Sequence, residues 1–383
     1  MPPVVIDLAK TEDFRDAVHR AVQALAEGKV VAFPTETVYG LAASALSEEG
    51  LRRLVEVKGR GAQHPFTLAI KSADEALDYV PNLGLVGRRL ARRCWPGPVT
   101  LILDDNHPDS LLTRLPNSTR QMVCPQGTIG LRVPAHRLIL DVLRLLAGPL
   151  ALTSANRTGE PECVTGQEVV ERLGNDVQLV LDDQRCQYAQ ASTVIRVANN
   201  GFKVVRQGVV SESMLRRLSS FAILLVCTGN TCRSPMAEVI TKKILAERLN
   251  CRLDQLEDRG VVVMSAGLSA APGGRAAAEA VKVMASRGLD LAAHESQPIS
   301  DRLVQYADLI LTMTRGHLQA LVGHWPQAAA YSRLLSPEEI EISDPIGGPL
   351  EQYQRCASQM EQQLTARLGS LPLEELVVAL PPE

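Results

Sequence analysis

At 383 residues, with 45% hydrophobic and 22% charged positions, the chain has the balance of a soluble globular protein of two or three domains. No apolar run reaches the length of a membrane span, and residues 1–20 lack the uninterrupted apolar core of a secretion signal, so neither a membrane protein nor an exported one is expected. The net charge of −3 argues neither for nor against nucleic acid, but split at Leu218 the first part has 26 Lys+Arg against 24 Asp+Glu and the remainder 14 against 19. Only the first part suits a polyanion, and weakly. Eight scattered cysteines, of which only Cys227 and Cys232 lie close together, fit a reducing cytoplasm, with thiols as core filler or nucleophiles.

In chain order, residues 17–26 read as a helix and 30–33 as a short buried strand, followed by a Gly/Pro/Thr-rich loop over 34–40. Residues 47–57 form a second helix. Short apolar runs at 66–70, 99–103, 129–133 and 150–152, each bounded by Gly or Pro, give the punctuation of an α/β sheet. Residues 192–197 and 203–206 straddle Asn199-Asn200-Gly201, a hairpin turn signal. A polar connector with helical character covers 207–220, and a second α/β pattern begins with the continuous apolar strand 222–226. The expected division is therefore a domain over 1–210, a linker over 211–220 and a domain over 221–383.

Directly after strand 222–226 comes Cys227-Thr-Gly-Asn-Thr-Cys-Arg233-Ser234-Pro235, and a helix is expected over 236–249 with Ser234 as its N-cap and Pro235 at the first helical position. A loop between a strand end and a helix N-terminus is an anion site of backbone N–H groups and a positive dipole end. A thiol placed there is expected to be a thiolate at neutral pH. An arginine six residues on can return over the loop and grip two phosphate oxygens. Cys-x5-Arg alone is weak, and a buried structural cysteine is its bland reading. The whole string of strand, Cys, Gly, Asn, Arg, Ser-Pro and helix outweighs that reading. A nucleotide P-loop is excluded because no Gly-Lys-Ser/Thr follows. Phosphoryl transfer through cysteine also needs an acid for the leaving group. Asp344, in the chain's one Asp-Pro, is that acid when paired with the Cys loop, although Asp-Pro alone is more often a plain turn.

These residues, with Ser265-Ala-Gly267, His294-Glu-Ser296 and 307–313, resemble the low-molecular-weight protein tyrosine phosphatase family over about residues 221–370. The resemblance implies a parallel four-stranded sheet flanked by helices, with Cys227 as nucleophile forming a phosphocysteine. It implies Arg233 as clamp and Asp344 as acid, then base for water. Thr228, Gly229, Asn230, Thr231, Cys232 and Ser234 would support the phosphate loop: Ser234 bonds the thiolate, Asn230 holds the loop's shape, and Cys232 can form a reversible disulfide with Cys227. Thr231 stands where tyrosine-specific members carry a bulky aliphatic residue, and Ile346-Gly347-Gly348 stand where they carry aromatics. Both features resemble the protein-arginine phosphatase branch, so phosphoarginine in phosphorylated protein substrates is favoured over phosphotyrosine. Arsenate reductases share this fold but relay electrons through downstream cysteines, and none lies between Cys251 and Cys356.

In the first half, Lys58-Gly-Arg60, Arg132 at a strand end and Ser154-Ala-Asn156 after a strand are anion-binding groups, each more often a solvated surface feature when taken singly. Together with Phe33-Pro-Thr-Glu-Thr-Val-Tyr-Gly-Leu41, Trp95-Pro-Gly-Pro-Val-Thr100, Arg132-Val-Pro134, Ser192-Thr-Val194 and Val205-Arg206 they resemble the YrdC-like threonylcarbamoyl-AMP synthase family over about residues 8–210. That implies a twisted open α/β sheet joining L-threonine, bicarbonate and ATP, with Mg2+ on the phosphates and no dedicated metal site. The product, threonylcarbamoyl-AMP, would pass to partner proteins of tRNA modification. Thr35, Lys58, Arg132 and Ser192 are the implied threonine and carbamate contacts. Lys58, Arg60, Thr100, Ser154, Asn156 and Arg206 are the implied ATP contacts. Gly61, in place of Pro, and Ala69, where many long forms have His, depart from the family. A rival reading is a module binding double-stranded RNA on the concave face; near-neutral charge and 3% aromatic residues weaken it.

Overall fold

The computed structural model describes residues 2–59, 65–198 and 201–377. The chain separates into two units, Met1–Leu215 and Arg216–Glu383. The connector holds a helix, Glu212–Ser219.

The first unit carries one sheet made of β1 (Val4–Asp7), β2 (Val31–Phe33), β3 (Gly40–Ser44), β4 (Thr67–Ala69), β5 (Val99–Asp104), β6 (Thr128–Arg132), β7 (Leu150–Ser154), β8 (Leu179–Asp182), β9 (Thr193–Ala198) and β10 (Gly201–Arg206). Their spatial order is β1-β8-β2-β3-β7-β4-β6-β5-β9-β10, and parallel and antiparallel neighbours mix. The sheet is an open α/β one, as the resemblance implies. Helices Phe14–Ala26 and Arg137–Leu145 cover it through Ala17, Ala21, Leu25, Leu138 and Val142. Strand alternation makes the opposite surface. On β6, Ile129 and Leu131 are fully buried while Thr128, Gly130 and Arg132 line a cavity; on β5, Leu101 and Leu103 are buried while Thr100 and Ile102 line it. The hairpin of β9 and β10 pairs antiparallel, Gly201 opposite Ala198. Asn199 and Asn200 of its expected turn lie outside the described residues. Three strands that periodicity did not single out, β1, β3 and β8, are four or five residues long; β1 and β8 pair with each other from opposite ends of the unit, and β3 is held between the nearby β2 and the distant β7.

The second unit is an all-parallel sheet, β12-β11-β13-β14, of β11 (Phe221–Cys227), β12 (Val261–Gly267), β13 (Leu309–Thr312) and β14 (Ser332–Leu334). Every residue of β11 is buried, as a central strand covered on both faces requires. Phe221, Ile223, Leu225 and Cys227 pack towards the core containing Met236 and Ile240, from helix Arg233–Arg248, and Met360, from helix Leu350–Gly369. Leu224 and Val226 pack towards Val304 and Leu321 on the other face. Each such aliphatic side chain contributes about 1.5–3 kcal/mol by leaving water. Strand order reverses at β11, with β12 on one side and β13 on the other, so the carboxyl end of β11 is the topological switch point. Cys227 occupies that end.

Candidate functional site

In the first unit a cavity of about 400 Å³ opens over the sheet. Thr35, Thr100, Arg132, Ser154, Ser192 and Arg206 all line it, so six of the residues singled out in the sequence meet in one place. The Thr100 and Ser192 hydroxyls lie 3.2 Å apart, and the Arg206 guanidinium donates to the Ser192 carbonyl at 2.9 Å and to its hydroxyl at 3.2 Å. Thr35 is buried and donates its hydroxyl to the Val38 carbonyl at 2.6 Å. Lys58 and Asn156 stand behind the wall. The Lys58 ammonium is fully buried and donates to Ser154 O (2.8 Å), Asn156 O (2.5 Å) and Asn156 Oδ1 (2.7 Å). The Asn156 amide oxygen also accepts from the Ser154 hydroxyl at 2.6 Å, and its nitrogen donates to Glu160 O at 2.6 Å. This knot fixes the Ser154 wall. Arg60 and Gly61 lie outside the described residues.

Sequence reading missed Glu36 and Thr37. The Arg132 guanidinium donates to Glu36 Oε1 at 2.7 Å and to Thr37 Oγ1 at 2.9 Å, both buried, while the Ala135 N–H donates to Glu36 Oε2 at 2.9 Å. Arg132 is thus held by a carboxylate and Arg206 by neutral oxygens. Burial raises the pKa of the Tyr39 phenol, which bonds Asp182 at 2.9 Å on the same wall. The only hint of Glu36 was its place inside the Phe33–Leu41 string.

In the second unit Cys227 Sγ sits 3.0 Å from the Ser234 hydroxyl and accepts the Asn230 N–H at 3.2 Å. The helix begins at Arg233, so Ser234 is its second residue and not its cap. The hydroxyl expected to cap the helix instead faces the sulfur. Asn230 takes a left-handed conformation, φ +54°, which its short polar side chain tolerates. That side chain donates to Ser234 (2.8 Å) and Ser265 (2.9 Å) and accepts from the Gln297 N–H (2.9 Å), while His294 bonds the Asn230 carbonyl at 2.8 Å. The loop is therefore braced from β12 and from the 294–297 segment. The Arg233 guanidinium, almost wholly buried, pairs with the Asp344 carboxylate and donates to Ile342 O at 3.4 Å. The residues expected to be clamp and acid, 111 residues apart in sequence, are in contact. Thr231 Oγ1 lies 3.7 Å from Cys232 Sγ, and Cys232 lies 3.5 Å from the Tyr353 hydroxyl. Cys356, whose thiol burial pushes up to about 12, donates to Ser343 O at 3.4 Å, next to Asp344.

Gly267 is the partner of Cys227 across the sheet. A Cβ there would lie 2.5 Å from Thr228 O, 2.8 Å from Ala270 Cβ and 2.9 Å from Asn230 N. Gly267→Ala must displace the N–H that faces the sulfur. We expect kcat/KM on p-nitrophenyl phosphate to fall at least tenfold; unchanged kinetics would mean that the loop tolerates the shift.

The comparisons with known proteins fall on the two units separately. Residues 23–208 match the Sua5/YciO/YrdC family, described as telomere recombination, and residues 222–376 match the low molecular weight phosphotyrosine protein phosphatase family. The threonylcarbamoyl-AMP synthase of Mus musculus is 31% identical over 235 residues, 60% of this chain and 80% of that protein. The one from Pyrococcus abyssi is 36% identical over 169 residues, 44% of this chain; the match spans 47%, about half, of that protein's length. The protein-arginine-phosphatase of Geobacillus stearothermophilus is 33% identical over 159 residues, 40% of this chain and 99% of that protein. The crystal structure of P. abyssi Sua5 complexed with L-threonine aligns at TM-score 0.50 with 21% identity, over 70% of this chain and 92% of that one, a likeness of fold. The chain belongs to both families: it joins a Sua5/YciO/YrdC domain to a low-molecular-weight cysteine phosphatase domain.

Proposed function

We propose that the protein is bifunctional. The first unit joins L-threonine, bicarbonate and ATP into threonylcarbamoyl-AMP, and the second hydrolyses phosphoarginine in proteins. The observation that carries the first reading is the cavity in which Arg132 and Arg206 meet the Thr35, Thr100 and Ser192 hydroxyls. Threonine and bicarbonate condense to a carbamate with loss of water. A carbamate oxygen then attacks the α-phosphorus of ATP, and pyrophosphate leaves. Among the described residues the cavity wall contains no carboxylate, so Mg2+ enters as part of the substrate, on the triphosphate. The wall supplies positioning and charge neutralisation. Recombinant protein should release pyrophosphate only when threonine and bicarbonate are both present. Threonine-independent hydrolysis, or no reaction, would favour the RNA-binding reading. The product would serve the partner proteins of tRNA modification.

In the second unit Cys227 Sγ attacks phosphorus, the P–N bond breaks, and Asp344 protonates the departing guanidine nitrogen. Arg233 moves from Asp344 to the equatorial oxygens. Water then attacks the phosphocysteine, giving its proton to Asp344, and the S–P bond breaks. The phosphoarginine reading is carried by the pocket mouth: Thr231 within the loop, and an acid loop whose exposed Ile346 and two glycines offer no aromatic wall. The runner-up substrate is phosphotyrosine. Thr231→Ile should shift the ratio of kcat/KM towards phosphotyrosine by about tenfold on matched peptides, about 1.4 kcal/mol of differential transition-state binding. A wild type that already prefers phosphotyrosine overturns the arginine reading.

A further inference from the structure

Beside the nucleophile stands a histidine that the mechanism above does not use. His317, in helix Arg315–His324, is 8% exposed. Its Nε2 lies 2.8 Å from the Thr228 hydroxyl and its Nδ1 2.9 Å from the Thr314 hydroxyl, which also accepts the His317 backbone N–H at 3.2 Å. Thr228 directly follows Cys227 and is exposed at the mouth, whereas Asn230 and Cys232 are buried. The charged groups facing the ring are Arg233 of the clamp helix and Asp344 and Glu341 of the acid loop; burial first, then Arg233, hold the imidazole below its usual pKa, against the two carboxylates. A neutral ring carries one N–H and one lone pair. With the N–H at Nδ1 donating to Thr314, Nε2 accepts the Thr228 O–H, and the Thr228 oxygen keeps its lone pairs for an incoming donor. A protonated ring would have no lone pair to accept with.

We propose that Thr228 is a specificity-determining residue, its hydroxyl held by His317 as an acceptor for an N–H of a guanidinium leaving group. The loop's backbone N–H groups and Arg233 supply donors to the phosphoryl oxygens. A phosphorylated guanidinium brings N–H groups that need acceptors, and an aryl phosphate brings none at that position. His317 is the positioning residue: it touches Thr228 and acts through it. The inference rests on the phosphoarginine reading and deepens it.

The test measures kcat/KM for a phosphoarginine peptide and for p-nitrophenyl phosphate in wild type, Thr228→Val, His317→Leu, the double variant and Thr228→Ser. Circular dichroism and the melting temperature of each variant verify folding. The ratio of phosphoarginine to aryl activity should fall at least fivefold in Thr228→Val and in His317→Leu, no further in the double variant, and recover in Thr228→Ser. A smaller fall in either single variant, losses that multiply in the double variant, or no recovery with serine overturns the proposal. Wild-type protein that hydrolyses the aryl phosphate but not phosphoarginine overturns the substrate reading itself, and this inference with it.

Discussion

Cys227→Ser should lower phosphatase kcat by at least 10³-fold, about 4 kcal/mol of barrier, with p-nitrophenyl phosphate as substrate. The sulfur is approached by the Ser234 hydroxyl at 3.0 Å and the Asn230 N–H at 3.2 Å, at the end of a fully buried strand and the start of a sixteen-residue helix. Those donors and the helix N-terminus suit a sulfur nucleophile and the phosphoryl charge brought to it. They cannot make an alkoxide available at neutral pH, and serine alkoxide would be a poor leaving group from phosphorus in the water step. The substitution removes little volume, so the melting temperature should stay within about 2 °C of wild type. More than 1% residual turnover would place the nucleophile elsewhere. Asp344→Asn in the same assay should cost less, because a nitrophenolate leaves without an acid, whereas a guanidine or tyrosine leaving group feels the loss fully.

The phosphatase machinery was legible because most of it is local. Strand, loop, arginine and helix follow one another within 221–248, and the chemistry of that order needs no tertiary information. The Arg233–Asp344 contact spans 111 residues and was reachable only through the rarity of Asp-Pro. The helix start was misplaced because Ser234 reads locally as a cap, while its hydroxyl is taken by the sulfur at the switch point. His317 gave no signal at all: its partner Thr228 is 89 residues away. In the first unit the sheet order interleaves strands from all parts of that unit, so β1 and β8, and β3 on its β7 side, gain stability from neighbours that periodicity cannot see. The Glu36–Arg132 pair spans 96 residues for the same reason.

Lys58 and Arg206 separate two ways in which a cation can matter to one site, and their substitutions should behave differently. Lys58 Nζ donates to three oxygens of the Ser154–Asn156 segment and is fully buried. Lys58→Ala leaves those acceptors unsatisfied inside the protein, at about 1–3 kcal/mol for each group that cannot find water. A loss of about 3 kcal/mol corresponds to roughly 6–12 °C in a unit of this size. Pyrophosphate release should fall with it, because Ser154 lines the cavity. Arg206 is exposed on β10 and donates to Ser192 alone among the described residues. Arg206→Ala should leave the melting temperature within about 2 °C and still reduce threonine- and bicarbonate-dependent pyrophosphate release by about 10²-fold, about 2.7 kcal/mol of lost anion stabilisation. Calorimetry beside a pyrophosphate assay on both variants decides the matter. If Lys58→Ala loses activity at an unchanged melting temperature, the ammonium leaves its carbonyls for the substrate, and its role is the direct contact implied by the Lys58-Gly-Arg60 string. If Arg206→Ala keeps full activity, the Thr100–Ser192–Arg206 corner is not where the triphosphate binds.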